Sequence, residues 1–264
     1  MWGGGIMFGP EAWPAIVDKF YEYAISTDEA DMTGSPVAAC SHLPKLFVGC
    51  SLNLYSSDSD NISQTFQQMN AIQPQMMNTQ RVGSALDFAL EQASYSQNGA
   101  RQWYFTTTFK LNKEFMLEAE KMMRETVIEA VKSVSGFGLS LTLQPVTVEH
   151  LQASAAHGPN SLGLSPDDGP LVNLLLPSVH ANKDDDQKVI DTVNGLLERL
   201  TSLSEEMGIA HRWRFMNYSF KNAPVIDSYG PENVEKMWDV SKKFDPEGFF
   251  QKRVPGGFKL PHQA

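Results

Sequence analysis

Between Phe137 and Gln144 the chain alternates without a break, with Leu139, Leu141 and Leu143 on one parity and Ser140, Thr142 and Gln144 on the other. Successive side chains of a strand point to opposite faces, whereas in a helix this spacing would scatter both sets around the axis. The stretch therefore reads as a strand with an aliphatic face and a neutral polar face. The same division recurs from Lys45 to Tyr55, where Leu46, Val48, Cys50, Leu52 and Leu54 alternate with Phe47, Gly49, Ser51, Asn53 and Tyr55. From Arg101 to Lys110, Trp103, Phe105 and Phe109 alternate with Gln102, Tyr104, Thr106 and Thr108, and Asn173 interrupts the apolar run from Leu171 to Leu176.

The aliphatic sets need helices to cover them, and the sequence supplies these. Trp13, Ile16, Val17, Phe20, Tyr23 and Ala24 recur at three- and four-residue spacing and predict a helix over Pro10 to Ser26. Asn112 is placed to cap a long helix with Phe115, Ala119, Met122, Met123, Thr126, Ala130 and Val134 on one stripe. Lys183 to Met207 predicts another, with Gly208 as its stop. Shorter helices are expected at Asp60 to Ala71 (capped by Asp58 or Asp60), Ala85 to Ala93, Val148 to Ala156 and from Pro231 to Asp245-Pro246. Further strands are expected at Trp2 to Phe8, Ser35 to His42 and Trp213 to Tyr218, with a short edge segment at Met76 to Val82. The glycines of WGGG in the first strand suggest a close backbone approach or a bend. This order, with no glycine-rich phosphate loop between strand and helix, gives an α+β class. A largely antiparallel sheet carries helices on one face and a ligand pocket on the other, in a single domain over residues 1–264.

Charge and composition narrow the function. The 31 acidic and 21 basic residues leave a net charge of −10, and no Lys/Arg run interleaves with aromatics, which argues against nucleic acid. The apolar runs fall far short of the roughly 20 residues that span a bilayer, and no basic stretch leads into an apolar signal segment, so a cytoplasmic protein is expected. Cys40 and Cys50 lie inside apolar segments at a spacing that fits no metal motif and read as buried thiols rather than a disulfide. Asp184 to Asp186 reads as an acidic helix start, and no metal site is expected.

The second face of the sheet is either solvated or a pocket floor. A solvated face usually carries Lys and Glu, whereas Ser, Thr, Asn, Gln and Tyr suit a floor that orients an uncharged organic ligand, and the pocket is favoured. Its candidate lining is Phe47, Ser51, Asn53, Tyr55, Thr106, Thr108, Ser140, Thr142, Gln144 and Asn173. Tyr104 and Tyr55 are placed to donate a proton or hydrogen bond to a carbonyl there. His157, in the HGPN loop with Asn160, is a candidate at the rim, set against a plain exposed loop histidine.

At the C-terminal end, the pieces MNY, SYG-PENV, FDP-G-FQ and PGGFKL stand in an order that closely resembles the end of the fungal FAD-linked oxidoreductases, the berberine-bridge-enzyme-like group of the vanillyl-alcohol-oxidase fold. The opening WGGG, RVGSALDF and PNSLGLSPDDGPLVNLLL are similar to that family's substrate domain, so the likeness covers nearly the whole chain. The resemblance implies that Asn217 and Tyr218 match an Asn-Tyr pair near the flavin ring and that the polar sheet face lines the substrate side of the flavin. It also implies that the family's FAD-binding domain, with its diphosphate contacts and covalent attachment residues, would precede Met1.

Three functions follow as expectations. The first is a flavin-free, non-redox enzyme of natural-product biosynthesis, a cyclase, pericyclase or double-bond isomerase. It would fold a polyketide- or alkaloid-like substrate and polarise a carbonyl through Tyr104, Thr106, Ser140, Thr142 and Asn217, with no cofactor. The second is the substrate half or subunit of an FAD-dependent oxidase, with FAD held by a flavin domain on another chain. The third is a non-catalytic partner protein, homodimeric or bound to a flavin domain through the surface such a domain would cover.

Overall fold

The computed structural model describes residues 1–43, 47–96, 98–158 and 160–261. Pro44 and the first two residues of the expected Lys45 to Tyr55 strand lie outside these, as does Pro159 of the HGPN loop. Among the described residues nine strands form one sheet. They are β1 (Trp2–Phe8), β2 (Gly34–Leu43), β3 (Phe47–Ser56), β4 (Gln75–Asn78), β5 (Arg81–Val82), β6 (Arg101–Lys110), β7 (Gly138–Val146), β8 (Leu171–His180) and β9 (Ala210–His211). Their spatial order is β4-β1-β3-β2-β7-β8-β6-β9, with β5 also on β1, and every pair is antiparallel.

Three helices cover the aliphatic face: α1 (Trp13–Ala24), α4 (Lys113–Ala130) and α6 (Asp186–Glu206), the helices here being numbered in chain order. Phe20, Phe115, Met123, Val127, Val193 and Leu196 meet Leu52, Leu54, Leu141, Leu174 and Phe109 in one core, all at most 1% exposed. Each such side chain contributes on the order of 1.5–3 kcal/mol of burial. Asn112 caps α4 as expected, its Oδ1 accepting from Phe115 N at 2.8 Å. Cys40 and Cys50 are free, buried and directly opposed across β2 and β3.

Three expectations need correction. The helix expected at Asp60 to Ala71 is α2 (Gln64–Asn70), and its cap is Ser63, whose Oγ accepts from Phe66 N at 3.2 Å. Asp58 instead folds the preceding turn by accepting from the amides of Asp60 and Asn61. Trp213 to Tyr218 is not a strand: pairing stops at His211, and Met216–Tyr218 is a 3-10 turn. Its aromatic density serves a separate small core, in which Trp213 packs with Val225, Ile226 and Tyr229 beside α7 (Pro231–Phe244). Finally, α3 (Ala85–Ser94) crosses to the second face of the sheet, where Phe88 packs edge-on against Tyr55 at 5.5 Å.

The glycines of β1 have a local cause. At Gly4, φ is +145° and a Cβ would lie 2.6 Å from the Thr79 carbonyl oxygen, so only glycine lets the chain after β4 come this close. Thr79 then completes the edge, its Oγ1 accepting from Gly5 N at 2.9 Å.

Candidate functional site

The polar parity of β6, β7 and β8 converges on one hydrogen-bonded chain, because these three strands are neighbours in the order β7-β8-β6. Thr106 Oγ1 donates to Asn173 Oδ1 at 2.7 Å and lies 2.8 Å from the Leu174 carbonyl. Asn173 Nδ2 donates to Gln144 Oε1 at 3.3 Å, and Gln144 Nε2 donates to the Tyr218 hydroxyl at 3.2 Å. Thr106 and Asn173 are 4% and 2% exposed, so the chain begins buried in the sheet and ends at the turn of Met216–Tyr218. Tyr218 is held there by rings: Phe215 at 4.8 Å and Tyr104 at 6.1 Å, both edge-on. Tyr104 is 41% exposed, and Asn217 beside Tyr218 is exposed with no side-chain hydrogen bond among the described residues. Thr108 stands opposite Asn173, buried, and its Oγ1 has no partner among the described residues.

The remaining lining candidates divide. Ser140 donates to Ser41 Oγ at 2.8 Å, across β7 and β2. Ser51, Ala39, Thr142, Leu175 and Thr106 form one register row across five strands, which puts Ser51 and Thr142 on the same face as the chain above. Phe47 folds over Gly49, where a Cβ would lie 2.8 Å from its ring. Asn53 and Tyr55 are taken up by α3, because Gln92 Nε2 donates to Asn53 Oδ1 at 3.0 Å and to the Tyr55 hydroxyl at 2.9 Å. Burial pushes the Tyr55 hydroxyl above its ordinary pKa, partly offset by the Gln92 hydrogen bond.

His157 and Asn160 are not joined to this chain by any hydrogen bond or ring contact among the described residues. His157 is exposed at the C-cap of α5 (Val148–Ala156), its Nδ1 2.8 Å from the Ala153 carbonyl oxygen. Asn160 closes its own loop, accepting from Leu162 N at 2.9 Å and donating to the Leu164 carbonyl at 3.4 Å. Ser41 and Gln92 are polar partners that sequence reasoning missed. Ser41 falls on the polar parity of β2, and Gln92 lies one helical turn beyond Phe88, so both were readable once the sides were known. Among the described residues no three His, Cys, Asp or Glu side chains gather as metal ligands, and no helix is long and apolar enough to cross a membrane.

No protein-family model matches the chain. FAD-dependent monooxygenase tpcD of Cochliobolus heterostrophus is 32% identical over 189 residues, 70% of this chain and 36% of that protein. Bifunctional solanapyrone synthase of Alternaria solani is 27% identical over 172 residues, 65% of this chain and 33% of that protein. Among solved structures, 6-hydroxy-D-nicotine oxidase of Arthrobacter nicotinovorans superposes with a TM-score of 0.72 at 13% identity, over 99% of this chain and 55% of that one. The chain thus spans about a third of these curated relatives and about half of the solved oxidase. It therefore has the fold of one part of the berberine-bridge-enzyme-like oxidases, of vanillyl-alcohol-oxidase fold, and is similar in sequence to part of a fungal FAD-dependent monooxygenase.

Proposed function

We propose that the polar sheet face is the substrate wall of an FAD-linked oxidoreductase acting on an uncharged, oxygen-bearing natural product. One observation carries this: the chain Thr106–Asn173–Gln144–Tyr218, which links buried sheet polar groups to a turn ending in an exposed amide. Its members are neutral and pair mainly with one another, so they offer directional hydrogen bonds to a carbonyl or hydroxyl without imposing a charge. Tyr104 and Tyr218 add ring surface for the apolar body of such a ligand.

The residues present fit the flavin ring and not the rest of the cofactor. The Asn217 amide, free to donate and accept at once, suits the mixed donor and acceptor edge of an isoalloxazine, and Tyr218 stands next to it. No strand-to-helix glycine loop of the kind that cradles a diphosphate occurs in this sequence. When bound, the flavin would supply the hydride acceptor; the residues named here bind, orient and exclude water. The partner required is a flavin-binding domain, and a homodimer is the competing assembly.

A second function, flavin-independent cyclisation or isomerisation, draws support from a relative named as a bifunctional synthase and from a donor array complete within this chain. One experiment separates the two. The purified chain, clear of flavin absorbance, is incubated with neutral polyketide-like enones and lactones, alone and with FAD plus a separately expressed flavin domain from a relative. Conversion only in the second arm is expected. Conversion by the chain alone would establish the second function, and no binding in either arm would sink both.

A further inference from the structure

Beyond the polar face, a guanidinium that makes no ion pair among the described residues lies at the outer edge of β6. Among the described residues β9 pairs only with Thr108 and Phe109, and the edge of β6 before them has no strand partner. Arg214, set by the burial of Trp213, covers part of it: Nη1 donates to Thr107 Oγ1 at 2.6 Å and to the Thr106 carbonyl at 3.3 Å. Those two bonds use both Nη1 protons and leave the N–H groups of Nε and Nη2 without an acceptor among the described residues. No carboxylate pairs with Arg214 there either, and burial alone draws its pKa down, with no acidic neighbour opposing. An edge cap needs only one donor. A half-buried guanidinium with an idle Nε–Nη2 fork is a geometry that takes a carboxylate through two parallel hydrogen bonds.

Arg214 lines a groove of about 720 Å3 between α6 and the 220–224 segment. Its floor is apolar. Phe105 and Phe220 stack at 4.8 Å with 15° between planes, and Ile190 and Leu197 of α6 lie alongside. Lys221 also lines the groove, 5.8 Å over the Phe220 ring and without a carboxylate partner among the described residues. The acidic residues of the groove, Asp191 and Glu198, come from α6, and Asp191 already accepts from Gln187 Nε2 at 2.8 Å. The groove is therefore lined by two cations and by two carboxylates from α6, with aromatic and aliphatic surface between them.

We propose that this groove binds an amphiphilic organic monocarboxylate, with the carboxylate on the Nε–Nη2 fork of Arg214, Lys221 as the second cation, and the apolar body against Phe105 and Phe220. The site is distinct from the polar face and does not depend on the function proposed for it. The two share strand β6: Thr106 gives its carbonyl to Arg214 and its hydroxyl to Asn173.

Calorimetric titration of the full chain with phenylbutyrate, and with phenylbutyramide as its neutral counterpart, tests this. The acid binds and the amide binds roughly tenfold more weakly or not at all. Arg214→Gln lowers affinity for the acid by about tenfold or more, as loss of a charge-assisted pair should, and Arg214→Lys restores only part of it. Because Arg214 also caps the edge of β6, circular dichroism checks each variant. Asn194→Trp, on the half-exposed α6 wall, fills the groove without touching those bonds and abolishes binding. Equal affinity for acid and amide, no binding of either, or undiminished binding in Arg214→Gln or Asn194→Trp would overturn the proposal.

Discussion

Thr106 and Asn173 meet diagonally across the β6–β8 pair, hydroxyl oxygen to amide oxygen at 2.7 Å, and both are buried. The hydroxyl has one proton and two acceptors in reach, Asn173 Oδ1 and the Leu174 carbonyl. If it serves the carbonyl, the Asn173 and Gln144 amides can turn together, and the chain reverses its sense. In one sense Tyr218 accepts from Gln144 and its own O–H is free for a ligand; in the other it donates to Gln144. Asn173→Ala breaks both senses and strands buried polar atoms on either side. It should cost about 1–3 kcal/mol in urea unfolding at unchanged m; a loss below about 0.5 kcal/mol would show that the chain adds nothing to stability.

Tyr218→Phe keeps the ring against Phe215 and Tyr104 and deletes only the hydroxyl. Stability should stay within about 0.5 kcal/mol of the parent. Turnover in the reconstituted oxidase should fall on the order of 10²-fold if the hydroxyl polarises the substrate. Parent-like turnover in steady-state assays would remove Tyr218 from the chemistry and leave it a packing residue.

How far this site could be read from sequence depends on what each residue needed. Thr106, Gln144 and Asn173 were legible as one parity, because a period of two fixes the face of a side chain. That they touch requires the order β7-β8-β6, which chain order does not state. Tyr218 was placed near the pocket only through the family likeness, and the local reading made its segment a strand. Aromatic density looks the same whether it pairs along a sheet or closes a compact cluster, and here Trp213 and Phe215 close a cluster. The side taken by α3 was equally hidden: the helices were expected together on one face, and Phe88 of α3 packs on Tyr55 of the other.

The start of α6 is tied to the sheet by charge. Asp186 accepts from Arg101 through both carboxylate oxygens and lies 2.8 Å from His180 Nε2. The Arg101 guanidinium, helped by His180 against partial desolvation, holds the Asp186 carboxyl below its usual pKa. A carboxyl lowered in the folded state adds stability above its unfolded value, near about 3.9, and that stability is lost as pH falls through the folded value. Asp186→Asn should therefore be less stable than the parent at neutral pH, with the gap closing below about pH 4 and narrowing in high salt. Thermal unfolding of both proteins across that range checks it; a gap that persists in acid would mean packing, not charge, ties the helix.

Two glycines should respond in opposite directions to the same added methyl group. Gly195 lies inside α6, where a Cβ meets nothing within 4 Å, and its backbone is helical. Alanine there narrows the unfolded ensemble and adds no contact, so Gly195→Ala should raise stability by about 0.5–1 kcal/mol. Gly4 has φ at +145° and the Thr79 backbone 2.6 Å from where a Cβ would sit, so the neighbouring segment must move. Gly4→Ala should lose about 1–3 kcal/mol and loosen the β1 edge, where Thr79 is bound to Gly5. Hydrogen exchange at Gly5 and Thr79 separates the causes. Faster exchange confined to this edge in Gly4→Ala, with none in Gly195→Ala, fits a local steric clash, whereas a uniform rise would mean that β1 is needed to hold the whole sheet.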